Sequence, residues 1–315
     1  MRWCRAAWPA EVCGSRAGRC AGSRPGRGSP AIVLEAGATD TSIAWAPILA
    51  PLAARTPIVA YDRAGLGASD AGQEPPSVDR QVADLAAVVS EAGGGEPCVI
   101  VAHSWGGLLA QLLAFRTPEL VAGLVLVDPA HEGMADGLPR AVRWLARNGR
   151  LRLDGLILPV ERWLALRGIE RSLDDPNLRA LVVGAWVAGR ATRPRRQAIR
   201  AEYRAIVSGQ AGIRRARAAA SLPDVPIMVI SATRGFPPSV RKRWSALQAD
   251  VAAAGPNGRL VVVPGAGHAV QHERPDVVVE AVLQVLAEVR AQAGRPARAC
   301  LSDPGWRRVH LIRQE

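Results

Sequence analysis

Ser104 lies where an apolar run meets a run of small residues, in the stretch Val99-Ile100-Val101-Ala102-His103-Ser104-Trp105-Gly106-Gly107. A serine hydroxyl attacks an acyl group only when a base takes its proton and fixed donors receive the charge that develops on the substrate. This stretch offers the backbone for that task. Val99, Ile100 and Val101 are β-branched, too few to form a helix and flanked by turn formers, so they predict a buried central strand. Ala102 and Gly106, two positions either side of Ser104, allow a tight strand-to-helix turn that holds the serine in a strained backbone and pushes its hydroxyl into a cleft. The helix N-terminus that follows presents free N–H groups and favours negative charge. The pattern Ala-x-Ser-x-Gly is short and recurs in unrelated settings, so its meaning rests on the elements around it.

Those elements alternate between strand and helix. Pro30 to Gly37 reads as a strand leading to a helix near Trp45 to Ala54, and Ile58 to Tyr61 as a strand followed by the Gly-rich loop Asp62 to Ser69. Val82, Leu85, Val88 and Val89 share one face of a helix over Val78 to Ala92. After the Ser104 strand comes a helix over Trp105 to Arg116, ended by Thr117-Pro118, and then a strand from Leu124 that turns at Asp128-Pro129. The alternation resumes with a strand over Pro226 to Ser231, a helix around Val240 to Ala254, the strand Leu260 to Val263 and a last helix from Pro275 to Ala291. Continuous β-branched strands separated by helices predict an α/β, mostly parallel, doubly wound sheet buried on both faces. Between Gly133 and Leu222 the strands give way to helical, Arg- and Trp-rich segments broken by prolines. An insertion of that size, after the strand ending at Asp128, must cover one end of the sheet, where ligands bind at the strand carboxyl ends.

Composition narrows the class. At 315 residues and 49% hydrophobic the chain can bury a large core, and one domain with an insertion fits better than two small domains. The domains expected are an Arg-rich, poorly ordered leader (1–29), a core built from 30–132 and 223–291, a helical cap (133–222) and a C-terminal tail (292–315). The formal charge of +12 is concentrated: residues 133–222 hold eighteen Arg against seven acids, whereas the core carries an acidic excess. Lys242 is the sole lysine and aromatic interleaving is sparse, so the arginines read as a compositional bias and no nucleic-acid partner is expected. No apolar run reaches 18 residues, which excludes a transmembrane segment, and the N-terminus lacks the continuous apolar region of a secretory signal; a cytoplasmic protein is expected. Cys4, Cys13 and Cys20 have neither metal-ligand spacing nor a nearby His and read as incidental thiols. No metal site, phosphate loop or dinucleotide fingerprint appears, and no cofactor is expected.

Three motifs in one order resemble the α/β-hydrolase family, specifically capped serine hydrolases of esterase type, over roughly Pro30 to Arg290. Ala102-His103-Ser104-Trp105-Gly106 matches the nucleophile elbow. Asp62 to Ser69 (DRAGLGAS) is similar to the family's D-R-x-G-x-G-x-S loop, and Gly265 to Pro275 (GAGHAVQHERP) to its late histidine loop. The resemblance implies a serine nucleophile, a histidine base, a carboxylate that orients the base, and backbone donors for the oxyanion.

Ser104 and His268 fill the first two roles. His268 lies in a Gly-flanked loop after a strand; His103, His131, His272 and His310 occupy no comparable loop, His103 pointing away from the serine and His272 beginning the last helix. Family members commonly carry the acid after the strand that follows the cap, but no Asp or Glu occurs between Pro226 and Ala249. A subset of the family places it one strand earlier, which selects Asp128, with Glu132 and Asp136 as alternatives. The oxyanion hole implied is the N–H of Trp105 with that of Ala38, aligned on Gly37. Glu35 stands where the family often has His, and a structural salt bridge with Arg63 is its simpler reading; Asp62 and Arg63 are expected to hold loops together.

A serine at the elbow argues against dehalogenase and epoxide-hydrolase chemistry, which in this family uses a carboxylate nucleophile. The function implied is hydrolysis of an ester, thioester, lactone or amide, most simply by a carboxylesterase. A proline-iminopeptidase-like peptidase, a C–C hydrolase and a non-catalytic ligand receptor on the same fold are the alternatives. Trp144, Trp163 and Trp186 of the cap suggest a pocket for a small, partly hydrophobic acyl substrate, with packing of the cap itself as the other reading.

Overall fold

The computed structural model describes residues 12–15, 18–21, 30–72, 74–137, 169, 173–235 and 238–293. Its strands are β1 (Val12–Ser15), β2 (Gly18–Ala21), β3 (Ile32–Glu35), β4 (Ile58–Ala60), β5 (Cys98–His103), β6 (Val121–Val127), β7 (Ile227–Ala232) and β8 (Gly258–Val263). The longer helices are α1 (Ala46–Ala53), α2 (Val78–Gly93), α3 (Ser104–Arg116), α4 (Pro176–Ala191), α5 (Arg193–Ser208), α6 (Gln210–Ala219), α7 (Pro238–Ala253) and α8 (Pro275–Ala293). All eight strands join one sheet in the order β1-β2-β4-β3-β5-β6-β7-β8, and β3 to β8 run parallel.

Side chains alternate along each parallel strand, so the sheet feeds two apolar layers. Val33, Ile100, Leu124, Leu126 and Val229 pack with α2 and α3 on one face. Ile32, Leu34, Val99, Val101, Val125 and Ile230 pack with α1 and α8 on the other. The two halves of each strand pattern therefore specify both faces. α2 begins where the Ser77 side chain accepts from the Arg80 N–H at 3.1 Å and ends at Gly94, whose φ of +61° suits a residue without Cβ. α3 is apolar all round, and Trp105 to Ala114 are all buried, as expected of a helix at the centre of the molecule.

Register aligns the strand ends that matter. Leu34 lies beside Val101, Ala102 beside Leu126, and Val127 beside Ile230. Gly37, Ser104 and Asp128, just beyond the ends of β3, β5 and β6, and Ala232, the last residue of β7, therefore come out along one carboxyl edge.

The hairpin at the other side of the sheet differs from the sequence expectation. Residues before Pro30 show little strand pattern, yet β1 and β2 pair antiparallel, and Ala21 of β2 pairs with Ala60 of β4. Ladder pairing uses backbone groups, and the otherwise open edge of β4 supplies a template that needs no side-chain alternation. The remainder of 1–29 and the tail beyond Ala293 lie outside the described residues. Between β6 and β7 the described chain contains helices α4, α5 and α6 and no strand. Trp144 and Trp163 lie outside the described residues. Among the described residues no helix is long and apolar enough to cross a membrane, and no group of three or more His, Cys, Asp or Glu is placed to hold a metal ion.

Candidate active site

Ser104 adopts φ of +50° immediately after the buried end of β5. A left-handed backbone costs an L-residue roughly 1–2 kcal/mol, so the turn persists because the surroundings fix it. Two glycines make that possible. A Cβ on Gly106 would stand 2.5 Å from the Ala36 carbonyl oxygen and 2.6 Å from that of Glu35; one on Gly107 would stand 2.7 Å from Pro129 Cβ. The first turn of α3 is thus set flush between the ends of β3 and β6. The Ser104 carbonyl in turn accepts from the Ala130 N–H at 2.8 Å, which ties the elbow to the loop after Asp128.

His268 bridges the serine and the carboxylate. Its Nε2 lies 2.9 Å from Ser104 Oγ and its Nδ1 lies 2.7 Å from Asp128 Oδ2. An ionised carboxylate only accepts, so Nδ1 carries the proton and Nε2 is left to accept from the serine hydroxyl. Asp128 is fully buried and adopts φ of +42°. Its second oxygen, Oδ1, accepts from the Ala232 N–H at 3.0 Å and from the Trp244 indole at 2.9 Å. Arg241 Nη1 stands 3.9 Å from the same oxygen. The Trp244 ring also meets the His268 ring edge-on, with centroids 5.5 Å apart.

His103 packs against His268. Its Nε2 donates to the His268 carbonyl at 2.9 Å and its ring lies 4.7 Å from that of His268. Burial, reinforced by the charge His268 would carry, holds its imidazole well below the usual histidine range, so it is neutral. Its hydrogen bond ties the end of β5 to the loop that carries His268.

The loop after β3 passes over the elbow. A Cβ on Gly37 would meet His103 Nδ1 at 2.8 Å and Ser104 Cβ at 3.5 Å. Ala38, the next residue, is therefore close to the serine, and the Trp105 N–H lies in the first turn of α3, where no intrahelical acceptor exists. Arg63 anchors this loop: it donates to Glu35 Oε1 at 2.5 Å, to the Ala36 carbonyl at 2.7 Å, to the Gly37 carbonyl at 2.5 Å and to Glu202 Oε1 at 2.7 Å. Tyr61 Oη donates to the other Glu35 oxygen. Burial works against the Arg63 charge, but Glu202 and Glu35 outweigh it and raise its pKa above the ordinary arginine value. Asp62 accepts from the Ser42 N–H at 2.7 Å and the Ala68 N–H at 2.8 Å, a loop-holding role.

The remaining sequence candidates have partners other than His268. Glu132 is held by Arg217 at 2.6 Å and Asp136 by Arg214 at 2.8 Å, both arginines of α6. Trp186 packs with Ile169, Leu173 and Val182, Ile43 lies against this cluster, and the Arg190 guanidinium 3.7 Å above the Trp186 ring also donates to Thr39 Oγ1 at 3.0 Å, which brings Trp186 toward the loop after β3. His131 accepts from the Gly133 N–H at 2.9 Å. His272 lies in a separate helical turn, Val270–Glu273, rather than at the start of α8, and its Nε2 donates to the Ala44 carbonyl at 2.8 Å. His103, Trp244 and Glu202 went unassigned from sequence. Only His103, adjacent to the serine, carried a signal that could have marked it.

A family model described as "Alpha/beta hydrolase family" matches residues 32–281. The curated protein "Putative non-heme bromoperoxidase BpoC" of Mycobacterium tuberculosis is 31% identical over 273 residues, covering 84% of this chain and 97% of that protein. "Uncharacterized protein YqjL" of Bacillus subtilis is 35% identical over 107 residues; the match covers 34% of this chain and 42% of that protein, less than half of its length. Among solved structures, "Epoxide hydrolase CorEH without ligand" aligns with a TM-score of 0.67 over 88% of this chain and 98% of that one, at 18% identity, a likeness of fold.

Proposed function

The chain belongs to the alpha/beta hydrolase family, and from that premise we propose that it is a serine hydrolase that cleaves a small, partly hydrophobic ester, or a related thioester, lactone or amide, through an acyl-enzyme. One observation carries this reading: His268 spans Ser104 Oγ at 2.9 Å and Asp128 Oδ2 at 2.7 Å. Both distances lie within the reach that proton transfer needs.

In this mechanism His268 Nε2 takes the hydroxyl proton as Ser104 Oγ bonds to the substrate carbonyl carbon. The imidazolium that forms is stabilised by Asp128, which also fixes the ring's tautomer. The carbonyl oxygen becomes an oxyanion and is received by the backbone N–H groups of Trp105 and Ala38. Collapse expels the leaving alcohol, which takes the proton from His268. Water then repeats the sequence on the acyl-enzyme: its proton passes to His268 as its oxygen bonds to the acyl carbon, and His268 returns that proton to Ser104 Oγ as the acid is released. A serine at the elbow, in place of the carboxylate that opens epoxides or displaces halides, supports acyl transfer over those chemistries.

The test is incubation with a fluorophosphonate probe and with p-nitrophenyl esters of rising acyl length. Labelling at Ser104 and ester turnover, both lost in Ser104→Ala, are the expected results. A wild-type protein that neither labels nor hydrolyses any ester or amide of the series overturns the reading.

A further inference from the structure

Glu202 sits on α5, far from the strands in sequence, and its side chain is 2% exposed. Three groups converge on its carboxylate. The Thr39 N–H donates to Oε2, while Arg63 Nε at 2.7 Å and Gln81 Nε2 at 2.8 Å donate to Oε1. Each donor leads to one of the two backbone amides assigned to the oxyanion. Thr39 directly follows Ala38. Arg63 Nη2 holds the Gly37 carbonyl, and that carbonyl shares a planar peptide unit with the Ala38 N–H. In a trans peptide the two groups point in opposite directions, so fixing the Gly37 oxygen aims the Ala38 N–H. Gln81 Oε1 accepts from the Trp105 indole at 3.0 Å, which steadies the residue whose N–H is the second donor.

Arg63 keeps a second carboxylate, Glu35 of β3, at 2.5 Å, so the guanidinium does not depend on α5 for its charge balance alone. The Thr39 amide and the Nε edge of Arg63 do depend on it. Their acceptor arrives from the segment inserted between β6 and β7, whereas Glu35, Tyr61, Arg63, Gln81 and Trp105 all belong to the elements around the sheet. The inserted helix therefore completes a hydrogen-bond network that the rest of the fold leaves one carboxylate short.

We propose that Glu202 is a positioning residue that sets the geometry of the oxyanion hole, so that the hole is formed for acyl transfer only while α5 is docked over the site. It touches no reacting atom and acts through Thr39, Arg63 and Gln81. Seating the cap then aligns the backbone donors at the moment the substrate is shielded from bulk water. The inference rests on the reading of Ser104 as the nucleophile.

The experiment compares Glu202→Ala and Glu202→Gln with wild type in the full chain. Active sites are counted by fluorophosphonate titration, turnover is measured on p-nitrophenyl butyrate, and binding of an alkyl trifluoromethyl ketone reports on the tetrahedral adduct. The expected result for Glu202→Ala is a kcat per titrated site lowered on the order of 10²-fold, the scale of losing one oxyanion donor. The trifluoromethyl ketone should weaken by a similar factor while KM moves less than about threefold. Glu202→Gln keeps one acceptor oxygen and should fall between, and it carries the test if the alanine variant does not fold. Unchanged kcat per titrated site and unchanged ketone affinity, in a variant that merely melts earlier, overturn the inference alone. A wild type that does not label at Ser104 overturns the nucleophile reading and the inference with it.

Discussion

The Ala232 amide of β7 donates to Oδ1 of Asp128 at 3.0 Å, across the boundary between two neighbouring strands. β7 ends without a carboxylate of its own, yet its last N–H, together with the Trp244 indole from α7, holds the carboxylate that β6 supplies. One Asp128 oxygen is occupied in this way, and the other is turned to His268. Because the carboxyl group is fully buried, these donors replace the hydration it gives up.

Asp128→Asn should lower kcat by several orders of magnitude, on the order of 10⁴ if it behaves as the aspartate of a serine-protease triad does. The asparagine must either present its NH₂ to His268, favouring the wrong tautomer, or turn it against the Ala232 and Trp244 donors. Steady-state kinetics on a p-nitrophenyl ester provide the check. Near-normal turnover would move the role away from Asp128.

Trp244→Phe keeps the aromatic edge against His268 but removes the indole donor. A hydrogen bond to a charged group contributes about 1.5–3 kcal/mol, so kcat should fall at least about tenfold if most of that is felt in the transition state. KM should be little affected, since the Asp128 carboxyl is fully buried and meets the far ring nitrogen of His268 from the one that faces Ser104. A variant with normal kcat and raised KM would instead place Trp244 in the substrate pocket.

Gly106→Ala should damage both folding and turnover. The new Cβ meets backbone oxygens of Glu35 and Ala36 at about 2.5 Å, and strand-end backbone cannot swing aside as a flexible side chain could. Overpacking of this kind costs roughly 1–3 kcal/mol, read from the midpoint of urea unfolding. An alanine variant with wild-type stability and activity would show that the elbow is looser than its contacts imply.

Arg63→Met should destabilise the protein by about 3–5 kcal/mol, the range for removing one partner of a buried ion pair. Glu35 and Glu202 are both buried and would be left facing each other without the guanidinium between them. Urea unfolding measures the loss. A change below about 1 kcal/mol would mean that the network is solvated in solution.

Stability should also fall on mild acidification through His272. Burial pulls its pKa below the ordinary 6.5, so below that pH the unfolded chain takes up the proton before the folded one does. Its contribution is present above about pH 6.5 and is lost progressively as pH drops toward the folded value. His272→Gln keeps a donor for the Ala44 carbonyl and removes the titration. The difference in unfolding free energy between the two proteins should change between pH 7.5 and 5.5; parallel profiles would exclude the effect.

The local signals of the sequence are sufficient for the parallel strands and mark the turns at Ser104 and His268, whose roles come from the resemblance to the family. Runs such as Cys98–His103 and Ile227–Ala232 announce buried strands because a buried parallel strand needs apolar side chains on both faces. The small residues around Ser104 and the glycines around His268 mark sharp turns for the same local reason. The absence of an acid after β7 is legible as well, and it leads to Asp128 only through the resemblance to family members that carry the acid one strand earlier. The hairpin of β1 and β2 was not visible, since backbone pairing at a sheet edge leaves no required side-chain pattern.

Only the tertiary structure decided what surrounds these residues. That Trp244 and Ala232 aim Asp128, that His103 braces the loop of His268, and that Glu202 reaches Thr39 across 163 residues of sequence follow from which strand ends and helix faces meet at the carboxyl edge. Secondary structure imposes a period that any sequence must display. An ion pair or hydrogen bond between distant elements imposes none, because it requires only that two side chains of suitable chemistry be brought within about 3 Å by the fold.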